Sequence, residues 1–280
     1  MFIKKDKLIV EVLVLIVLSI YAYLINWYSG NIGVMPIDSF GFFDTGYSII
    51  NGHLPIRDFW IFTGLLVDYM EAGFLLVFGN NWNSHLAHSS FMNIIGTIAL
   101  YFFLREYNFK FTHILFYCLS FATLCYPLSG TPFAYIHAYI FSLIAIFILI
   151  IAIKKKNKIL WFLFPYTCLL AFLSMQTPTA YILIILSIVL IFYFKKNKDF
   201  NNLKLFIFGC TSSIFLFLLF LYLTQTPIIN FIYQYILFPL TIGEARITSK
   251  EVAYISLIDQ FNFKRLFGEF KFIHIFLLPL

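Results

Sequence analysis

The sequence predicts an all-α polytopic membrane protein, a transmembrane helix bundle whose long first loop carries two juxtamembrane helices. Three observations point there. Of 280 residues, 61% are hydrophobic and only 11% charged. Soluble domains carry about a quarter charged residues, so too little polar surface is left here to solvate a globule. The apolar residues fall in long blocks, many near the ~20 residues needed to cross a hydrocarbon core as a helix. Short Lys/Arg clusters separate those blocks. They place the net charge of +6 beside apolar runs, where head groups and orientation rules account for it and nucleic-acid binding does not. Disorder and a soluble enzyme are both excluded by the same pattern.

Taken in order, the expected spans are Leu8 to Trp27, His85 to Leu104, Thr112 to Ser129, Phe133 to Ile153, Ile159 to Gln176, Thr177 to Phe194 and Leu205 to Thr224. The first follows Lys4, Lys5 and Lys7, is too long for a signal-peptide core and lacks a small-residue cleavage pattern, which predicts a retained anchor. The fifth and sixth form a tight hairpin around SMQTPT. A further run from Phe272 stops at Leu280, less than half a span, which predicts that the natural chain continues. Cys118, Cys125, Cys168 and Cys210 lie inside apolar stretches as small hydrophobes, without the paired spacing of disulfides or zinc ligands.

The stretch Trp60 to Gly79 is also long enough to cross, and charge parity decides against it. If it crossed, the clusters Lys154 to Lys158 and Lys195 to Lys198 would lie opposite the N-terminal lysines, against the positive-inside rule. If it does not, thirteen of the 19 basic residues lie inside and nine of the 13 acids outside. Residues 31–83 are then one extracytoplasmic loop and residues 225–269 a second, within a single transmembrane domain of the cell (inner) membrane. Loops of that length are usually functional.

In the first loop, Phe40, Phe43, Tyr47 and Ile50 recur at helical period, while Asp44, Thr45, Ser48 and Asn51 take the other side. This predicts an interfacial amphipathic helix that Gly52 ends, with Pro55 just beyond. Within Trp60 to Gly79, the residues Gly64, Asp68 and Glu71 share one face. A second surface helix would turn that acidic stripe toward water or a cavity.

The run DSFGFFDTGYSIINGHLPIRDFW, followed by GLLVDYMEAGFLLVFGNNW, resembles the first extracytoplasmic loop of GT-C glycosyltransferases. That superfamily includes dolichyl-phosphate-mannose protein mannosyltransferases and bacterial aminoarabinose transferases. In its pattern an Asp, often Asp-Glu, starts a juxtamembrane helix. A Gly, a Pro-aromatic-Arg-Asp sequence, a second juxtamembrane helix and a Phe-Gly follow. Asp38, Gly52, Pro55, Arg57, Asp58, Phe78 and Gly79 occupy those places. Ser39 stands where many relatives have a second carboxylate, and Ile56 replaces the aromatic. The likeness covers about the first 85 residues well and the remainder more loosely. Met175 takes the place of the Lys that relatives commonly carry before the Gln of the hairpin turn.

The resemblance implies transfer of a sugar from a polyprenyl-phosphate carrier to an extracytoplasmic acceptor, with inversion at the anomeric carbon. Such a displacement needs a base within reach of the acceptor's proton and cationic donors on the departing phosphate. Asp38 is the candidate base and Asp44 its reserve, one to two turns on. Arg57, Arg246 and Lys250 are the candidate partners of the lipid phosphate. The acceptor is a glycan, a lipid or a protein, and membrane lipids surround the chain. Without the resemblance, Asp38 reads first as a helix N-cap.

No cofactor follows from the residues, and a divalent metal is left open. His85 and His88, three apart at the end of a span, could ligate a metal with Glu71 or serve as interfacial polar groups. His137 is an intramembrane ionisable group, hence a functional candidate or a helix-packing hydrogen bonder. No Walker-type or dinucleotide-binding loop is present. The competing readings are a lipid or glycan transporter or flippase, and a non-catalytic member of a polysaccharide assembly complex. Transporters place charge near the bilayer midplane, whereas the acids here concentrate in loops on one side.

Overall fold

The computed structural model describes residues 2–33, 36–61, 64–126, 129–242, 263, 267 and 268. They divide into two units, Met1–Pro227 and Ile228–Leu280. The described residues of the first form nine helices: α1 (Phe2–Ile32), α2 (Pro36–Ile50), α3 (Leu65–Phe78), α4 (Trp82–Glu106), α5 (Phe111–Leu124), α6 (Ala134–Lys155), α7 (Lys158–Ser174), α8 (Gln176–Asn197) and α9 (Phe200–Leu223). In the second, a short α10 (Ile228–Phe231) runs into a π-helical stretch, Ile232–Leu237. No strand occurs among the described residues. The final run from Phe272 lies outside them.

Among the described residues, five helices are long and apolar enough to cross a membrane: Leu8–Ile32 of α1, then α4, α6, α8 and α9. The molecule is therefore a membrane-embedded all-α bundle. Two expected spans are shorter than the sequence predicts. The third ends at Leu124, making α5 a helix of 14 residues, about 21 Å at 1.5 Å per residue. Pro127, Gly130 and Pro132 follow, and proline both lacks the helical N–H and turns its predecessor away from α geometry. The fifth, α7, has 17 residues and carries Pro165 inside it. Met175 then adopts an extended backbone (φ −164°) between α7 and α8, so the hairpin falls in SMQTPT as expected.

The lysine-rich turns have their own local causes. Lys156 and Lys198 take left-handed backbone (φ 52° and 48°) and close α6 and α8. Asn157 then caps α7 through the Ile159 N–H, and Asp199 caps α9 through the Asn202 N–H. Such side-chain acceptors satisfy amide donors that the helix itself leaves open.

Helix α1 packs on α4 and α5, α4 on α6, α6 on α7 and α8, and α7 on α9. Apolar clusters fill two of these contacts. Leu18, Tyr101, Leu104, Ile114 and Cys118 join α1, α4 and α5, and Trp161, Phe164, Leu149 and Leu186 join α6, α7 and α8. Buried amides act between them. The Asn93 amide donates to the carbonyls of Ala22 and Ala122 (3.1 and 2.8 Å). That of Asn26 donates to Ser89, Ser90 and the Gly130 carbonyl. Interhelical bonds of this type substitute for the hydrophobic drive that lipid does not supply. All four cysteines are free.

Candidate functional site

Helices α2 and α3 occupy the connection between the spans α1 and α4, and they pack on each other. Pro36 opens α2 and Asp38 lies in its first turn. Proline suits a first helical position because the N–H it lacks would have no partner there. Asp38 is thus inside the helix at its third residue, which corrects the N-cap alternative. Asp38 and Asp44 are both exposed. The charge of Asp38 reaches Tyr135 in the first turn of α6.

The buried face of α2 is not its apolar stripe. Ser39, Phe42 and Thr45 are buried, whereas Phe40 and Tyr47 are 51% and 43% exposed. The buried face of α3 is mixed, with Leu65, Val67, Ala72 and Leu75 inside beside its two acids. Leu76, Val77 and Phe78 are exposed, and Asp68 and Glu71 are fully buried. The acidic stripe therefore faces the protein interior, which corrects the expectation that it turns toward water. In a membrane-embedded bundle the polar groups find partners only inside, so these acids turn inward.

Close approach of α2, α3 and α7 requires glycine at two points. A Cβ on Gly46 would lie 2.4 Å from Glu71 Cγ, and one on Gly64 would lie 1.8 Å from the Ser174 carbonyl oxygen. On this contact Thr45 donates its hydroxyl to Asp68 Oδ1 at 2.9 Å.

Glu71 is the centre of a buried polar chain. Its Oε1 meets His85 Nδ1 at 2.8 Å and its Oε2 meets His88 Nδ1 at 2.7 Å. On its other side, His88 Nε2 meets His137 Nε2 at 3.0 Å, and His137 Nδ1 donates to the Phe133 carbonyl at 2.8 Å. The four side chains come from α3, α4 and α6 and are all fully buried. Phe74 stacks on His88 (5.1 Å, 18°), while Phe43 and Trp82 flank His85. Burial presses the Glu71 carboxyl upward, and the imidazole hydrogen bonds press it down further, leaving it below its ordinary value. No metal-ligand group of three or more occurs among the described residues.

Between α2 and α3 the chain makes a tight turn built on Asp58. Gly52 (φ 88°) ends α2. Asp58 then accepts the Leu54 N–H at 2.7 Å and both prongs of the Arg57 fork at 2.9 and 2.7 Å. Arg57 also donates to the carbonyls of Thr224 (3.2 Å) and Gly52 (3.3 Å). Its hydrogen bond, followed by that of the Leu54 amide, pulls the Asp58 carboxyl down to about 2. Asp58 correspondingly raises Arg57. Ile56, buried beside them, holds φ at 71°, a sparsely populated region for a β-branched residue.

The structure thus brings together Glu71, His85, His88 and His137, and joins Arg57 to Asp58. Neither Asp38 nor Asp44 is hydrogen-bonded or ion-paired to Arg57 among the described residues. Arg246 and Lys250 lie outside the described residues. Sequence reasoning grouped Glu71 with His85 and His88, as possible metal ligands, and missed that His137 joins them in one hydrogen-bonded chain. The available signal was an acid and three imidazoles, all bordering apolar runs, where unpaired ionisable groups are costly.

The chain matches no protein-family model, no curated protein and no solved structure. Fold and site together define a membrane-embedded all-α bundle. Two short helices lie between its first two long ones, one exposing its acids and the other burying them.

Proposed function

We propose that the protein is a membrane glycosyltransferase that moves a sugar from a polyprenyl-phosphate carrier to an extracytoplasmic acceptor by inverting displacement. Asp38 is the base and Asp44 the reserve. The observation that supports this reading is the helix order. Two short helices, α2 and α3, lie between the long helices α1 and α4, and Asp38 sits exposed in the first turn of α2. This is the arrangement that the resemblance to GT-C enzymes implies, with the acid where it can accept a proton from a bound acceptor. The departing phosphate falls to Arg57, whose charge is shared with Asp58 until the phosphate competes for the fork. Arg246 and Lys250 are its further partners. Reaction of the purified protein with a synthetic polyprenyl-phosphate sugar should release polyprenyl phosphate and glycosylate an acceptor. Cell-envelope glycans should lose one residue when the gene is removed.

The buried Glu71 chain favours a second reading. Ionisable groups inside a bundle are what a lipid or glycan transporter uses. Transport of a fluorescent polyprenyl-phosphate sugar across vesicles, with no sugar transferred, would select that reading over the first.

A further inference from the structure

We infer that Glu71, His85, His88 and His137 form a buried site that binds one proton and shares it along the chain. The inference rests on counting hydrogens. Four hydrogen bonds link the chain: His85 to Glu71, His88 to Glu71, His88 to His137, and His137 to the Phe133 carbonyl. Each needs a hydrogen. A carbonyl oxygen only accepts, so His137 Nδ1 carries a proton. If His137 is neutral its Nε2 is then a bare lone pair, and His88 Nε2 must donate across the 3.0 Å gap. Three neutral imidazoles beside a carboxylate supply three hydrogens for the four bonds.

Without a fourth proton, one contact is left without its hydrogen. Two nitrogen lone pairs would face each other at 3.0 Å, or a ring nitrogen would face a bare carboxylate oxygen at 2.7 Å. Either arrangement, fully buried, is costly. One added proton satisfies all four bonds and makes the group neutral overall. It resides as an imidazolium at His88 or His137 beside the Glu71 carboxylate, or on Glu71 itself beside neutral rings. Moving between these forms requires only short hops along existing bonds.

The site is enclosed by aromatic contacts and has one unpartnered ring nitrogen. His85 Nε2 is buried and has no hydrogen-bond partner. Trp82 lies against its ring at 5.1 Å, and also lines a surface cavity of about 320 Å³ with Gly30 and Phe40. Few other titratable groups face the chain. Tyr126 meets His137 edge-on at 6.4 Å from α5's end. Asp68, one turn before Glu71, is engaged with Thr45 of α2. Binding the proton holds α3 on α4 and α6, and its release leaves a net negative charge in that contact.

Glu71→Gln tests the site because the amide is isosteric with a protonated carboxyl. Its oxygen can accept from His85 and its NH2 can donate to His88, so every bond is kept with three neutral rings and no extra proton. The full chain, labelled with ¹⁵N-histidine, is reconstituted in phosphatidylcholine bilayers at pH 8, above the ordinary histidine range. Imidazole nitrogen spectra count imidazolium, and infrared spectra count protonated carboxyl. The expected result is one such proton in the natural chain, absent from folded Glu71→Gln. A natural chain with neither signal, or a signal that survives in Glu71→Gln, overturns the inference. Should that variant misfold, His137→Phe decides. It removes the bond that demands the fourth hydrogen, so it too should lose the signal, and persistence there overturns the proposal.

Discussion

Helices α2 and α3 are near-equal in length, adjacent and each furnished with two acids, yet the acids meet opposite fates. Asp38 and Asp44 on α2 are exposed, whereas Asp68 and Glu71 on α3 are fully buried and engaged. The difference teaches that a carboxylate's role here follows from what lies across the helix interface. Glu71 faces two imidazoles and serves the contact of three helices. Asp38 faces outward, and its oxygens are accessible to a substrate. One helix engages its acids inside the bundle, and the other leaves them exposed.

The contrast breaks most visibly at Asp38. Because it sits within the first turn and does not cap it, Asp38→Asn removes only a favourable helix-dipole charge, about 0.3–1 kcal/mol. Folding should be nearly unchanged. Turnover should fall by about 10² to 10⁴, the range for loss of a general base, while Asp44→Asn changes it far less. A dead Asp44→Asn beside an active Asp38→Asn would move the base one to two turns along α2.

On α3 the expected loss is in stability instead. Glu71→Ala leaves two buried imidazoles without their acceptor, and breaking a buried ion pair from one side costs about 3–5 kcal/mol. The thermal midpoint of the detergent-solubilised protein should drop steeply. A midpoint equal to that of the natural chain would show that the buried cluster contributes no cohesion, and the contrast with α2 would disappear.

Glycines sharpen the comparison at smaller scale. Gly46 touches Glu71 where the two helices meet, whereas a Cβ on Gly73 meets nothing within 4 Å. Gly46→Ala should destabilise by about 1–3 kcal/mol through overpacking. Gly73→Ala should be neutral or stabilise by up to about 1 kcal/mol, the helix-propensity gain. Equal shifts in denaturation for the two variants would mean that α2 and α3 are not tightly apposed.

The smallest effect belongs to the turn between them. Asp58 is lowered from 3.8 to about 2, chiefly by its hydrogen bond from Arg57. A depressed carboxyl contributes to stability above its ordinary value and loses that contribution as pH falls through its folded value. The pair should therefore persist through pH 4 and open as the pH approaches 2, with little overall destabilisation because both side chains remain accessible to solvent. Nuclear magnetic resonance of the Asp58 carboxyl carbon should show this midpoint, and Arg57→Ala should return it toward 3.8.

The long elements were legible because crossing hydrocarbon demands length and apolarity, both of which are written linearly. The spans of α1, α4, α6, α8 and α9, the break at SMQTPT and the lysine turns all follow from that demand. The lengths of α5 and α7 were less legible, since Pro127 and Pro165 lie in runs whose hydropathy is high throughout. The chemistry-bearing residues were identifiable one by one: Asp38 by its place before an apolar-periodic run, His137 by being ionisable within a span.

The sequence by itself determined that this chain is an α-helical membrane protein and which residues carry ionisable groups into it. Only the tertiary structure decided which faces of α2 and α3 turn inward, and that Glu71, His85, His88 and His137 meet. The physical reason is that an apolar stripe marks the buried face of a helix in water, whereas in lipid both the interior and the perimeter accept apolar residues. The inward face is then chosen by polar partners brought from distant parts of the chain. Glu71 and His137 are separated by the whole of α4 and α5, and no local periodicity records that they share a hydrogen-bond chain.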